Sequence, residues 1–125
     1  MVRTAITAEQ LPAPVGPFSM AIRDGGLLFL SGQVAQDPAT GELIDGDTGR
    51  QTEQILNNLA AVVAAAGKSL ADVVRVGVYL TDMADFATMN EEYSRHFTAP
   101  YPARTTIGVA ALPLGATVEI DAVVA

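Results

Sequence analysis

The order of hydrophobic patterns along the chain is the feature that most restricts its fold. Residues 74–81 alternate between valine or leucine and other side chains, which is the two-residue period of a strand with one buried face. The segments before and after this strand repeat apolar residues at three- and four-residue steps, the spacing of one helical face. A strand that lies between two amphipathic helices predicts an α/β domain.

Two helices are predicted. The first covers residues 48–66, and Gly67 provides the residue that ends it. Its apolar stripe consists of Ile55, Leu56, Leu59, Val62, Val63 and Ala66. The second follows Asp85, whose carboxylate can cap the first turn. Its stripe consists of Phe86, Met89, Asn90, Tyr93 and Phe97. Each helix therefore has one face to bury against a sheet.

Four further segments are predicted to be strands. Residues 18–23 and 27–31 flank an Asp-Gly-Gly turn, which is typical of a β-hairpin. The second of these strands begins Leu-Leu-Phe-Leu, so we expect both of its faces to be covered. Residues 103–109 and 117–124 supply the last two strands, and residues 33–49 form a surface loop. The element order is β-β-α-β-α-β-β.

This order predicts a mixed sheet with both helices packed on one face, because crossovers between parallel strands favour one side. The chain has 125 residues, half of them apolar, so we expect one domain over residues 1–125. No third helix is predicted that could cover the opposite face. We therefore expect another subunit to cover it, which makes the protein an oligomer.

Composition excludes several classes of function. The formal net charge is -7, with only seven lysines and arginines, so nucleic acid is not an expected partner. Cysteine is absent, which excludes disulfides and thiolate nucleophiles. No segment approaches the ~20 apolar residues that cross a bilayer, and the N-terminus lacks the pattern of a signal peptide. These features predict a cytoplasmic protein that has no membrane partner.

The common catalytic and metal-binding motifs are missing. There is no phosphate-binding glycine loop, nucleophile elbow or helical histidine pair. The single histidine, His96, is expected to face solvent or interact with a helix dipole rather than to catalyse. Residues 45–49 read Asp-Gly-Asp-Thr-Gly but lack the rest of a calcium loop, so a turn into a capped helix explains them better. No metal site is expected.

Two charged residues are candidates for chemistry. Arg104 begins a predicted strand, where its planar guanidinium can hold a carboxylate through two hydrogen bonds. It can equally be a surface arginine that pairs with one of the 14 acidic side chains. Glu119 shares one face of the last strand with Asp121, where it either meets solvent or orients a water molecule.

Six motifs in a fixed order resemble the RidA/YjgF/UK114 family of reactive-intermediate deaminases over nearly the whole chain. They are Gly16-Pro17-Phe18-Ser19, Leu30-Ser31-Gly32-Gln33, residues 38–42, residues 85–93, Tyr101-Pro102-Ala103-Arg104 and Val118-Glu119-Ile120. The resemblance implies a chorismate-mutase-like (YjgF-like) α/β subunit in a homotrimer, with active sites between neighbouring subunits. It also implies hydrolysis of 2-imino acids and their enamines to 2-keto acids and ammonia, without a cofactor.

The resemblance also assigns roles to residues. Arg104 would bind the substrate carboxylate and Glu119 would position the attacking water. Ser31 and the backbone of Gly32 would line the pocket, and Asn90 would support it. Two further pocket positions depart from the best-characterised deaminase pattern: Phe18 replaces a tyrosine and Thr106 replaces a cysteine. A different hydrolytic activity on small acids, or a non-enzymatic ligand-binding trimer, remain the alternatives.

Overall fold

The computed structural model describes residues 2–125 and contains a six-stranded mixed sheet with two α-helices. The strands are β1 (Thr4–Ile6), β2 (Ala21–Asp24), β3 (Leu27–Gln33), β4 (Val73–Leu80), β5 (Ala103–Gly108) and β6 (Val118–Val124). The helices are α1 (Thr48–Ala65) and α2 (Phe86–Tyr93). The spatial order is β1-β2-β3-β6-β4-β5; β4 and β5 are parallel, and the other neighbours are antiparallel. The predicted mixed sheet with two helices is confirmed.

The core lies between the helices and one face of the sheet. Helix α1 packs on β3 and β6, and α2 packs beside α1. The buried side chains alternate along the central strands and follow the predicted stripe of α1. They are Leu28 and Leu30 of β3, Val76, Val78 and Leu80 of β4, Val118, Ile120 and Ala122 of β6, and Ile55, Leu56, Leu59, Val62 and Val63 of α1.

The first hairpin differs from the prediction in two respects. Strand β1 was not predicted, because its three residues are too few to display a period. Strand β2 begins at Ala21 rather than Phe18. The residues before β2 instead follow an irregular path, in which the Phe18 amide donates a hydrogen bond to the Gly16 carbonyl oxygen.

Strand β3 is covered on one face only. Leu28 and Leu30 are buried, but Phe29 on the opposite face is 45% exposed and Leu27 is exposed as well. The prediction that this strand is covered on both faces is therefore wrong for the single chain. The reason is topological, because both helices lie on the other side of the sheet. We call the uncovered side, which carries Phe29, the open face.

Strand β4 begins with an irregularity that shifts its alternation. Val73 pairs with Val124 and Arg75 with Val123, so Val74 is an extra residue within the ladder with β6. Val74 is consequently 45% exposed, although its place in the sequence pattern predicted burial. The predicted alternation is correct from Val76 onward.

The two helix starts use aspartate differently. Asp47 caps α1, because its Oδ1 accepts a hydrogen bond of 2.9 Å from the Arg50 amide, as the Asp-Gly-Asp-Thr-Gly turn predicted. Asp85 directly precedes α2, but its carboxylate caps no amide there. It accepts a hydrogen bond of 2.8 Å from the Thr48 hydroxyl. Asp85 therefore links the two helix starts instead of capping its own helix.

The predicted stripe of α2 extends past the helix. Phe97 lies beyond the helix end, yet it is buried and its ring centre lies 4.6 Å from that of Tyr93. Met89 is also buried, whereas Phe86 at the first turn is exposed.

None of the helices within residues 2–125 is long and apolar enough to cross a membrane.

The aspartate cap of α1 gives a stability prediction. Replacing Asp47 with Ala removes the acceptor for the Arg50 amide, so we expect unfolding to become easier by about 1 kcal/mol. The melting temperature should fall by roughly 3–5 °C. Asp45→Ala is the matched control, since Asp45 is an exposed aspartate of the same turn that makes no side-chain hydrogen bond with the described residues. Equal melting temperatures for the two variants would contradict this role of Asp47.

Candidate functional site

The sheet separates the two residues predicted to be catalytic. Arg104 lies opposite Val76 in the parallel β4–β5 ladder, on the face that packs against the helices. Glu119 lies opposite Tyr79 in the β4–β6 ladder, on the open face. Directly paired residues point to the same side of a sheet, whereas Val76 and Tyr79, three residues apart on β4, point to opposite sides. Arg104 and Glu119 therefore point to opposite sides as well. A single chain therefore does not bring them to one substrate.

Arg104 is held by α2. Its Nη2 donates a hydrogen bond of 2.7 Å to Oδ1 of Asn90. Its Cζ lies 4.8 Å from the ring centre of Tyr93 and 5.7 Å from that of Phe86, so both rings contribute cation–π attraction. Among residues 2–125 no carboxylate forms an ion pair with Arg104. The interpretation as a surface arginine paired with a carboxylate therefore has no support in the described chain.

A cavity of about 320 Å³ lies beside this guanidinium, and we call it the Arg104 cavity. It is lined by Asn90, Tyr93, Ser94, Tyr101, Pro102 and Arg104. The sequence placed Tyr93 in the core stripe, and it is indeed buried, but it also lines this cavity. Burial raises the pKa of Tyr93 and the charge of Arg104 opposes that rise, so the phenol is neutral beside the cation.

A second cavity, of about 330 Å³, lies beside Glu119, and we call it the Glu119 cavity. Phe18, Gly32 and Leu114 line it together with apolar residues of the segment 11–15. None of the hydrogen bonds among residues 2–125 involves the carboxyl group of Glu119, which is partly buried. Burial, and to a smaller extent the negative charge of Asp121, raise the pKa of Glu119. This carboxyl group therefore takes up a proton more readily than an exposed glutamate does.

Gly32 is required by this packing. A β-carbon built on Gly32 would overlap the carboxylate of Glu119. The ladder between β3 and β6 also shifts register between Leu30 and Gln33, which is the irregularity that contains Gly32. Any other residue at position 32 would force the Glu119 carboxylate away from the β3 backbone. Gly32 also lines the Glu119 cavity, while its predicted role in binding substrate stays a prediction.

The four remaining predicted residues lie in different places. Phe18 lines the Glu119 cavity and is 53% exposed, and Asn90 lines the Arg104 cavity. Ser31 lines neither cavity; its Oγ donates a hydrogen bond of 2.6 Å to the Ser19 carbonyl oxygen and so fixes the segment next to Phe18. Thr106 also lines neither cavity, and its hydroxyl is buried without a hydrogen-bond partner in the described residues. Ser31 thus supports the site from outside it.

His96 belongs to neither cavity. Its Nε2 lies 2.8 Å from Oε2 of Glu92, and Nη1 of Arg95 lies 2.7 Å from Oε1 of the same carboxylate. Burial raises the pKa of Glu92, but the hydrogen bonds from His96 and Arg95 outweigh it and lower that pKa. The His96 side chain is only 15% exposed, so of its two expected roles, facing solvent or interacting with a helix dipole, the first is wrong. In residues 2–125 no three His, Asp or Glu side chains gather closely enough to hold a metal ion.

Comparison with known proteins finds sequence relatives over nearly the whole chain. Residues 8–125 match the family model described as Endoribonuclease L-PSP. The Protein DfrA of Myxococcus xanthus is 49% identical over 125 residues, which is 98% of this chain and 95% of that protein. The 2-iminobutanoate/2-iminopropanoate deaminase of Mus musculus is 41% identical over 123 residues, 98% of this chain and 91% of the relative.

A solved structure agrees with these sequence relatives. The crystal structure of RidA from the Antarctic bacterium Psychrobacter sp. matches with a TM-score of 0.92 and 44% identity, over 97% of this chain and 98% of that one. The resemblance inferred from the six motifs is therefore confirmed, and the chain belongs to the RidA/YjgF/UK114 family.

Proposed function

We propose that this protein is a hydrolytic deaminase that converts small 2-imino acids and their enamine tautomers to 2-keto acids and ammonia. The observation that carries this proposal is the state of Arg104. Its guanidinium is held by Asn90, stacks on Tyr93, has no carboxylate partner among the described residues, and lines a cavity. Such a group is suited to bind the carboxylate of a small acid. The mouse relative, a 2-iminobutanoate/2-iminopropanoate deaminase, supports the same reaction class.

Glu119 supplies the proton transfers that imine hydrolysis needs. The reacting form is the protonated imine. Water adds to its C2, and one water proton passes to the Glu119 carboxylate as the C–O bond forms, which leaves a neutral carbinolamine. Glu119 returns this proton to the nitrogen. As the C–N bond breaks, the hydroxyl proton passes to the Glu119 carboxylate, which leaves the keto group, and the released ammonia takes up this proton and departs as ammonium. Since the imine is already reactive toward water, fixing both partners in place accounts for most of the catalysis. The raised pKa of Glu119 is consistent with these two roles.

The active site in this proposal lies between subunits of a homotrimer. Arg104 and Glu119 lie on opposite faces of one sheet, so each chain supplies one half of a site. The open face also exposes Leu27, Phe29 and Ile107, which is apolar surface that a neighbouring copy can cover. In this arrangement the Glu119 cavity of one chain meets the Arg104 cavity of the next.

RNA cleavage, the activity in the description of the matching family model, is not our proposal for this chain. The net charge of -7 opposes attraction to a polyanion. Among the described residues that line the two cavities, Arg104 is the only cation. One arginine suits a small carboxylate better than a phosphate backbone.

The first prediction from this proposal concerns Arg104. Replacing it with Ala should lower the affinity for carboxylate substrates by roughly 10- to 150-fold, which corresponds to charge-assisted hydrogen bonds of about 1.5–3 kcal/mol. Arg104→Lys should recover little, because an ammonium group cannot form the paired bonds of a guanidinium. The measurement is hydrolysis of 2-iminobutyrate generated in situ by a dehydratase.

Arg50→Ala is the matched control for Arg104→Ala. Arg50 is an exposed arginine of α1 that pairs with Glu53 and lines neither cavity. Melting temperature and molar mass should show that all variants keep their fold and assembly. If Arg104→Ala hydrolyses the imine at nearly the wild-type rate, Arg104 is not the carboxylate anchor.

The second prediction tests the shared site. Arg104→Ala and Glu119→Gln should each be nearly inactive, but subunit exchange between them should restore activity. With random mixing, about one quarter of the interfaces in a trimer pair an intact Glu119 with an intact Arg104. The expected result is therefore about a quarter of the wild-type rate, together with a trimeric mass by light scattering.

Exchange has to be verified independently, for example by native mass spectrometry with one variant carrying a mass tag. Mixed trimers that remain inactive would contradict a site built from two chains. A monomeric mass across a dilution series would exclude it as well.

The third prediction concerns Phe18, which lines the Glu119 cavity. Phe18→Tyr adds a hydroxyl to a ring of nearly equal shape, and Glu119 has no hydrogen-bond donor among the described residues. The deaminase rate should therefore rise or stay unchanged, as measured by kcat on 2-iminobutyrate. A large loss of kcat at an unchanged melting temperature would indicate that the cavity is adapted to another reaction.

A further inference from the structure

A second carboxyl group shares the open face with Glu119. Asp121 is two residues further along β6, so its side chain leaves the sheet on the same side. Tyr79 of β4 lies directly opposite Glu119, whereas Asp121 lies opposite Gly77. The hydroxyl of Tyr79 nevertheless donates to Oδ2 of Asp121, at 2.8 Å. The tyrosine therefore leans diagonally across the ladder, away from its direct partner.

Gly77 makes this diagonal bond possible. A β-carbon built on Gly77 would overlap the carboxylate of Asp121 and would lie 3.0 Å from the hydroxyl oxygen of Tyr79. Gly77 is also buried within β4, so a larger side chain at this position has no room to turn away from Asp121 and Tyr79. The three residues thus form one arrangement, which we call the Tyr79–Asp121 pair over Gly77.

The arrangement has an electrostatic consequence for Glu119. The Tyr79 hydroxyl donates a hydrogen bond to Asp121 and so holds this carboxylate close to Glu119. Residues two apart on a strand have Cα atoms about 6.5–7 Å apart, a distance at which like charges repel appreciably when partly buried. The fixed position of Asp121 therefore disfavours ionisation of Glu119.

The other elements that face Glu119 contribute little charge. Residues 31–33 of β3 and residues 11–18 contain no acidic or basic side chain, and neither does Leu114. On β4 the charged group is Arg75, whose Nη2 donates to Thr105 Oγ1 at 3.1 Å. Within the described chain, Asp121 is thus the charged group that raises the pKa of Glu119. In the proposed trimer the next subunit adds Arg104.

We propose that Asp121, held by the hydroxyl of Tyr79, is a positioning residue that keeps the Glu119 carboxyl ready to protonate the departing ammonia. This inference rests on the proposed deaminase function. In this proposal Asp121 and Tyr79 do not contact the substrate, because they act through Glu119. The effect should appear in kcat and in its pH dependence, and less in KM, because Arg104 holds the substrate carboxylate.

The pKa shifts of Glu119 and Tyr79 agree with this geometry. Burial raises the pKa of Glu119 most, and the charge of Asp121 adds to the rise. The hydrogen bond to Asp121 is the main cause that raises the pKa of Tyr79, followed by its burial. The phenol therefore remains protonated, and remains a donor to Asp121, throughout the physiological pH range.

The test compares two nearly isosteric variants that act on Glu119 in the same direction. Asp121→Asn removes the neighbouring negative charge, so the titration midpoint of Glu119 should fall by about 0.5–1 pH unit. Tyr79→Phe removes the donor that holds the Asp121 carboxylate, so the Glu119 midpoint should fall by less. Carbon-13 NMR of the labelled carboxyl groups measures this midpoint without substrate, with Glu119→Gln for assignment.

Kinetics supply the second readout. In Asp121→Asn the acidic limb of the kcat profile on 2-iminobutyrate should move to lower pH by the same amount, with KM changed less than twofold. Asp24→Asn at the exposed end of β2 is the matched control for the change in net charge, and it should shift neither limb nor midpoint. Melting temperatures exclude a general loss of fold.

The outcomes separate this inference from the proposed function. If Asp121→Asn leaves both the Glu119 midpoint and the kcat profile unchanged in an active enzyme, the inference is overturned. If Asp121→Asn does not fold, an unchanged Glu119 midpoint in Tyr79→Phe overturns it equally. A wild-type protein that hydrolyses no imine, yet shows the expected NMR shifts, would overturn the deaminase proposal and support the link between Asp121 and Glu119.

Discussion

The burial of only one sheet face against the helices is the constraint on which the rest of the structure depends. In β6, Ile120 and Ala122 pack into the core, so Glu119 and Asp121 must point to the open face. A slip of one residue in the register of β6 would place both carboxyl groups in the core. The location of the acidic residues is thus a consequence of hydrophobic packing. The same packing places Arg104 on the helix side, since it lies beside buried Val76.

Sequence periods predicted the parts of this arrangement that are encoded within one element. The two-residue period of β6 predicted that Glu119 and Asp121 share a face, and the helical period of α1 predicted its core stripe. Strand β5 gave no such signal, because Arg104 is followed by Thr105 and Thr106, which have no hydrophobic alternation. The face on which Arg104 lies therefore depends on its pairing with β4, which a local pattern does not contain.

The contacts that sequence reasoning missed join residues that are distant in the chain. Asp85 could bond locally to its own helix start or distantly to the Thr48 hydroxyl, and it does the latter. Both are ordinary hydrogen bonds of similar strength, so local propensity cannot decide between them. The bond from Tyr79 to Asp121 likewise joins residues 42 apart and requires Gly77, whose role shows only when the strands are paired.

Each cavity leaves a polar group without its complement, and the two deficits match opposite ends of one small molecule. Arg104 has a guanidinium without a carboxylate, and Glu119 has a carboxyl group without a hydrogen-bond donor, within the described chain. Partly buried groups of this kind gain most from a ligand that supplies the missing partner. In the proposed site, a 2-imino acid offers its carboxylate to Arg104 and its nitrogen to Glu119. A 2-keto acid keeps the first contact but has no nitrogen to donate. Hydrolysis thus removes one of the two contacts that hold the substrate, which favours release of the product.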